Sequence, residues 1–295
     1  MISIIIPTLN NLKYLKLCVK SLELNSNFKN QIIFHVNNGS DGSLDFIKKK
    51  KFPHTHSAEN LGMCKAINQA AKLANQKYIV YAHDDFYFCP GWDKILINEA
   101  ETFTNNNFFL SGTMIKAGQV HRNYGDTLEN FNEKKLLDEY SKINYYDFQG
   151  SSWCPSMLTL KLWNEVGGLS EEYDPGTASD TDLNMKLWVK GVRIHKGLGK
   201  SLVYHFGSII TRKKKNLKTR TYTGSRGNKI FLLKWGISVK FFEKYFLRGC
   251  SYKDERLFCS KYDGPLTEPK KTFSFILGMI KCKIFLLYLK LINYK

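Results

Sequence analysis

The chain reads as an α/β fold, a mostly parallel sheet flanked by helices, with a basic, partly helical C-terminal extension. Three observations predict it. Short apolar runs alternate with segments of helical periodicity, each early run closes on a polar cluster, and the composition turns to lysine and arginine near residue 210. Alternation of strands and helices is the signature of βαβ units.

Residues 2–6 (ISIII) form the first apolar run, a buried strand that Pro7-Thr8-Leu9-Asn10 is expected to break. Leu12, Leu15, Val19 and Leu22 then recur at helical spacing. Residues 31–36 (QIIFHV) predict a second strand, closing on Asn37-Asn38-Gly39-Ser40-Asp41-Gly42, and residues 43–51 a helix ended by a lysine run. Asn60-Leu61-Gly62 opens a helix with Cys64, Ile67, Ala71 and Ala74 on roughly one face. Residues 78–82 are the third strand, ending in His83-Asp84-Asp85. Ligands of open α/β sheets sit beyond the carboxyl ends of the strands. Thr8 and Asn10, Asn37 to Asp41, and Asp84 and Asp85 therefore converge on one candidate site.

Further along, residues 151–159 suit a strand or a loop, residues 161–166 a helix, and Gly167-Gly168 a sharp break. Asp180-Thr181-Asp182 precedes a helix over 183–190, and residues 201–206 form a strand carrying His205. The expected organisation is a catalytic domain over 1–210, a basic linker over 211–235 and a helical, membrane-associating extension over 236–295.

The net charge of +18 on 295 residues points to an anionic partner. Residues 211–230 hold eight Lys/Arg and no acid, a composition suited to nucleic acid, to anionic lipid headgroups, or to a solvated loop. The tail narrows this. Residues 273–292 have the length of a membrane span and contain twelve Leu/Ile/Phe, but Lys281 and Lys283 lie near the middle. An interfacial helix lets those lysines snorkel, with the basic segment as a second anchor; packing on the catalytic domain or a homodimer contact is the competing reading. The MISIIIPTLN start lacks a basic leader, and the seven cysteines show no CxxC spacing. Both favour a cytoplasmic protein with reduced thiols, peripheral on the inner membrane face.

Adjacent strand residues point to opposite sides. At the open end of a strand, one carboxylate of Asp84-Asp85 can take a sugar hydroxyl while the other holds a divalent cation, Mg²⁺ or Mn²⁺, together with substrate phosphates. An isolated Asp pair is more often merely a polar turn.

The pair is not isolated. Ile4-Ile5-Ile6-Pro7-Thr8-Leu9-Asn10, Val36-Asn37-Asn38-Gly39-Ser40-Asp41-Gly42-Ser43, Asn60-Leu61-Gly62 with Ala66 and Asn68, Asp84-Asp85 with Pro90-Gly91-Trp92, Gly167-Gly168-Leu169 with Asp180-Thr181-Asp182-Leu183, and Val203-Tyr204-His205 occur in that order. Over roughly residues 1–210 the chain resembles the family 2 glycosyltransferases, inverting enzymes of the GT-A fold. The resemblance implies a nucleotide-diphosphate sugar donor, UDP-sugar favoured, bound by Pro7, Thr8, Asn10, Asn37, Asn38, Asp41, Asn60, Gly62, Lys65 and Asp84. It implies Mn²⁺ or Mg²⁺ on Asp85 and His205, and Asp180 as general base. Ser152, Trp153 and Asp182 would lie toward the acceptor, although Asp182 also suits a helix start and Trp153 a core position. His83 is read as packing or support behind the ion. The family's Glu before the catalytic Asp is Ser179 here. Asn37 stands where an Asp commonly accepts a nucleobase N–H, a bond the Asn oxygen can also accept.

The implied activity is sugar transfer to a glycan or lipid-linked glycan in polysaccharide or lipopolysaccharide assembly. A sugar-phosphate nucleotidyltransferase would carry a Gly-rich loop after the first strand, and Pro7 to Asn11 holds no glycine. A nucleic-acid-binding protein accounts for the charge but leaves Asp84, Asp85 and Asp180 without a role, so no nucleic-acid partner is favoured.

Overall fold

Strand β1 (Ile2–Leu9) organises the first half of the sheet. It pairs in parallel with β2 (Gln31–Asn37) along its length and with β4 (Tyr78–Tyr81) over Ile2 to Ile5. On its far side β2 pairs in parallel with β3 (His54–Ser57), a short polar strand that sequence periodicity does not signal. Ile2, Ile4, Ile5, Ile6, Ile33, Phe34, Val36 and all of β4 are buried, as expected of a parallel sheet covered on both faces. The covering helices are α1 (Leu12–Asn25), α2 (Ser43–Lys49) and α3 (Met63–Ala71). Pro7 does not end β1. Pairing with β4 stops at Ile5, so beyond it the strand has a neighbour on the β2 side only, and a residue without an N–H is accommodated.

The second half is mixed. It contains β5 (Phe86–Phe88), β6 (Phe108–Lys116), β7 (Phe148–Gln149), β8 (Ser156–Thr159) and β9 (Ile194–His205). Strands β1 to β9 form one nine-stranded sheet in the order β3-β2-β1-β4-β8-β6-β9-β5, with β7 also on β9. β8 runs antiparallel to β4 and β6, β9 parallel to β6, and β5 and β7 antiparallel to β9. The computed structural model describes residues 1–116, 118–150, 153–207, 226–253 and 256–294.

Strand β9 begins seven residues before the expected Ser201, because Gly197, Gly199 and two lysines hide its alternation. The glycines are there for space. A Cβ on Gly197 would lie 2.1 Å from the Phe148 ring, and one on Gly199 would lie 2.1 Å from the Tyr145 carbonyl oxygen. Helices α4 (Trp92–Glu101), α5 (Glu133–Glu139), α6 (Leu160–Glu165) and α7 (Ser179–Val189) complete this half. Asp180 and Asp182 lie inside the first turn of α7 and not ahead of it.

The boundary expected near residue 210 lies in 208–225, outside the described residues, and most of the basic linker lies there too. Packing continues beyond it. A helix over 226–235, another over Val239–Phe242 that widens into a π turn to Leu247, and a terminal helix over Phe273–Leu291 follow. Phe231, Leu232, Phe241, Phe242, Leu247, Leu266, Cys282 and Leu289 join the same buried cluster as Ile2 and Tyr81. The expectation of reduced thiols fails at one place. A hairpin of β10 (Ser251–Lys253) and β11 (Arg256–Phe258) brings Cys250 and Cys259 together as a disulfide, whereas Cys18, Cys64, Cys89, Cys154 and Cys282 are free and buried. Among the described residues no helix is long and apolar enough to cross a membrane.

Candidate active site

The polar ends of β1, β2 and β4 meet through side-chain bonds. Thr8 donates its hydroxyl to Asp84 Oδ2 at 2.6 Å, and Asn11 donates its amide to Oδ1 at 3.0 Å. Both carboxylate oxygens of Asp84 are thus turned toward β1. Burial, with Asp85 adding to it, pushes the Asp84 carboxyl up to about 7 against these two donors. Asn10, at φ +45°, accepts the Gly39 N–H on its side-chain oxygen and donates to Asn38 Oδ1 and Ser40 Oγ. Asn38, at φ +63°, accepts from the Ser40 amide and donates to the Ala58 carbonyl.

Asp41 is committed to holding two helix starts. It accepts from the Leu12 amide at 2.7 Å and from the amide and hydroxyl of Ser43. Burial opposes ionisation there, but Ser43 and the two amides outweigh it and keep the Asp41 carboxyl below its ordinary range.

Asn37 is buried, and its Oδ1 accepts the Leu61 N–H at 2.9 Å with Ser57 Oγ at 3.2 Å. This bond ties β2 to the entry of α3, where Asn60 Oδ1 accepts from the Gly62 amide. Gly62, at φ +88°, sits against Asp174, whose carboxyl carbon would lie 2.4 Å from an added Cβ. Asp174 caps α3 by accepting from the amides of Cys64 and Lys65. Only glycine admits that carboxylate at that backbone angle.

Asp85 lies with Asp84 in the turn between β4 and β5 and reaches different partners. The β5–β9 register sets Phe86 opposite His205, and the Phe206 amide donates to the Asp85 carbonyl. His205 Nε2 lies 3.5 Å from Asp85 Oδ2. Both His205 ring nitrogens are buried and have no hydrogen-bond partner among the described residues. One ligand atom each from His83, Asp85 and His205 lies within 4.8 Å of the others. His83, expected to be mere support, is therefore part of the cluster. Burial pushes its imidazole down to about 4, despite the pull of Asp85, so the ring is neutral and able to bind a cation. An imidazole–carboxylate–imidazole set with unpartnered buried nitrogens fits a divalent cation.

Asp180 lies in the first turn of α7, half-buried, and its Oδ1 accepts the Tyr81 hydroxyl at 2.5 Å. Burial raises its carboxyl to about 6, against the lowering effect of Tyr81. Cys154 connects the two sides of the site. Its Sγ is 3.2 Å from His83 Nε2, and its thiol feels the charges of both Asp180 and Asp85 on top of a larger desolvation penalty. A carboxylate poised near neutrality therefore neighbours a cluster able to hold a cation.

Other expected residues lie elsewhere. Asp182 is fully buried on α7. Ser170 donates to its Oδ2, and Trp235 and Lys234 donate to its Oδ1. It fastens the helix over 226–235, a positioning task and not an open acceptor surface. Trp153 is half-buried and packs between the main core and the Phe148–Leu257 cluster. Ser152 lies outside the described residues. Pro7 remains within β1, and Lys65 contributes its amide to the Asp174 cap.

Sequence reasoning missed Tyr81, gave His83 only a supporting place, and missed Asn11, Cys154 and Asp174. One signal was present for the first two. Positions 81, 83 and 85 alternate onto one side of an extended segment.

The model of glycosyl transferase family 2 matches residues 3–157. No curated protein matches the chain in sequence. Among solved structures, the crystal structure of S. aureus TarS 1-349 is similar at TM-score 0.54 and 14% identity, covering 78% of this chain and 71% of that one. The same TarS fragment in complex with UDP is similar at TM-score 0.52 and 16% identity, with 78% and 71% covered. At these identities the likeness is one of fold.

Proposed function

The chain belongs to glycosyl transferase family 2, and from that premise we propose that it moves a sugar from a UDP-sugar to a hydroxyl of a glycan or lipid-linked glycan, with inversion. The observation that carries this reading is the pairing of Asp180, raised to about 6 and held by Tyr81, with the His83–Asp85–His205 cluster beyond Cys154. The UDP complex of TarS supports the choice of base.

The residues supply the steps. The loop of Thr8, Asn10 and Asn38 and the entry of α3 would receive the nucleotide at the carboxyl edge of β1 and β2. The Tyr81 hydroxyl keeps Asp180 in one orientation. Asp180 then accepts the proton of the acceptor hydroxyl as that oxygen bonds to the anomeric carbon and the bond to the diphosphate breaks. Asp85 and His205 would hold a divalent cation, Mn²⁺ or Mg²⁺, whose positive charge would offset the charge building on the departing diphosphate. Attack opposite the leaving group inverts the anomeric centre.

The test is thermal stability with UDP, GDP, dTDP and CDP, each with Mn²⁺ and with EDTA. UDP with Mn²⁺ at about 100 times its Kd is expected to stabilise the chain by about 2.7 kcal/mol, and EDTA to remove most of that gain. Stabilisation by another base in place of UDP overturns the donor assignment. No stabilisation by any of them overturns the catalytic reading.

The same reading extends to peripheral attachment at an anionic membrane on the cytoplasmic face. The terminal helix buries only Cys282 and Leu289. Phe273, Ile284, Leu287 and Leu291 are each more than 60% exposed, beside exposed Lys281, Lys283 and Lys290. An apolar surface interleaved with cations suits a lipid interface. Flotation with phosphatidylserine vesicles is expected to carry the chain, and Ile284→Asn with Leu287→Asn to weaken that binding by about tenfold or more. Equal flotation of wild type and variant would remove the membrane role.

A further inference from the structure

The cation cluster holds two imidazoles and one carboxylate, and that composition bears on which ion it takes. We propose that His83 is itself a ligand, and that His83 and His205 together make the site select a first-row transition dication of the Mn²⁺ class over Mg²⁺. This deepens the glycosyltransferase reading and rests on it only for the diphosphate that would complete the coordination.

Four features carry the proposal. The three ligand atoms lie within 4.8 Å of one another, close enough to face one ion. His205 offers two buried ring nitrogens with no hydrogen-bond partner among the described residues, an arrangement that is costly without an occupant. Both rings are held in place: the Phe86 ring packs 5.1 Å from His83 and 4.9 Å from His205, and the Cys154 thiol engages His83 Nε2. Such outer contacts fix the orientation of a ligating imidazole. Finally, the neighbouring Asp84 is engaged elsewhere. It faces Thr8 and Asn11, so among the described residues Asp85 is the only carboxylate in the cluster.

Mg²⁺ is small, prefers an octahedron of oxygens and gives up its waters reluctantly. Imidazole nitrogens suit first-row transition dications, and Mn²⁺, which also takes carboxylate and water oxygens, stands at the weak end of that series. A site made of two imidazoles and one carboxylate therefore gives Mg²⁺ a single favoured protein ligand, while Mn²⁺ keeps that carboxylate and tolerates the two nitrogens. Oxygens of water, or of a diphosphate, fill the remaining positions for either ion and discriminate less.

The experiment uses the full chain, stripped with EDTA and free of nucleotide. Bound Mn²⁺ is followed by electron paramagnetic resonance of the free ion, with Mg²⁺ as competitor. The expected result is a Kd for Mn²⁺ at least about tenfold below that for Mg²⁺, and a loss of about tenfold or more in Mn²⁺ affinity on His83→Ala. His83→Asp, which makes the set two carboxylates and one imidazole, is expected to narrow the gap between the ions. Equal competition by Mg²⁺ in the wild type overturns the selectivity and needs no variant. Unchanged Mn²⁺ affinity in His83→Ala overturns His83 as a ligand, as does absence of Mn²⁺ binding to the wild type. Failure of the glycosyltransferase reading looks different: Mn²⁺ would still be retained selectively, while no nucleoside diphosphate stabilised the fold.

Discussion

Asp180→Asn is expected to abolish sugar transfer while raising the melting temperature. Loss of a positioned general base costs about 10²–10⁴-fold in rate. The stability gain follows from linkage. Burial raises the Asp180 carboxyl to about 6, above its ordinary value of 3.8. The ionised form is thus disfavoured in the fold, so the group's contribution to stability is complete below about pH 4 and lost as pH rises through about 6. At pH 7 the wild type carries that penalty, and neutral Asn does not. Asn still accepts the Tyr81 hydroxyl through its side-chain oxygen. The expected gain is about 1–3 kcal/mol, or a Tm rise of about 2–6 °C. Wild-type turnover should fall about tenfold per pH unit below about 6, as Asp180 protonates. A variant that transfers sugar at near the wild-type rate would disqualify Asp180 as the base. A variant that loses activity but melts lower would refute the cost of its charge.

Asp182→Ala should do the opposite, with a large loss of stability from two positions along the same helix. Asp182 is fully buried and accepts from Ser170 Oγ at 2.5 Å, Trp235 Nε1 at 2.7 Å and Lys234 Nζ at 3.0 Å. Truncation leaves the indole N–H without its acceptor and leaves Lys234 with Ser170 and Glu172 as its hydrogen-bond partners among the described residues. Removing one partner of a buried ionic network costs about 3–5 kcal/mol. The urea midpoint should drop accordingly, and Asp182→Asn should recover part of it by accepting from Trp235. A shift in Asp182→Ala within about 0.5 kcal/mol, the range of ordinary surface substitutions, would show that α7 does not depend on this anchor.

How much of this was legible before the structure depended on how local the signal was. β1, β2 and β4 announce themselves as apolar runs with polar ends, and the chemistry at those ends follows from the general placement of ligands on open sheets. That Asp84 and Asp85 would reach different partners was expected from strand alternation, although the structure sets both in the turn between β4 and β5. Strand β9 was half hidden, because Gly197 and Gly199 answer to the approach of Phe148 and Tyr145 and not to any pattern within the strand. His83 was underrated because imidazole next to a carboxylate pair gives no direction by itself. Its meaning comes from the β5–β9 register, which brings His205 alongside from far along the chain. Tyr81 looked like one more aromatic in an apolar strand until α7 brought Asp180 to its hydroxyl. The Cys250–Cys259 link required a hairpin that composition did not foretell.

The Trp235–Asp182 bond spans 53 residues, and that span has a bearing on the birth of the protein. A ribosome delivers the sheet, both histidines of the ion cluster and the base-bearing turn of α7 well before it delivers Lys234 and Trp235. Until those two emerge, the turn that carries Asp180 holds a charged side chain at 182 without its ammonium and indole partners. Chains fold from the N-terminus as they are made, so the turn that carries Asp180 is the part of the candidate site whose final seating waits for sequence synthesised after all the other site residues. A translation stalled before residue 234 would release a chain with the ends of β1 and β2 formed and Asp180 unseated.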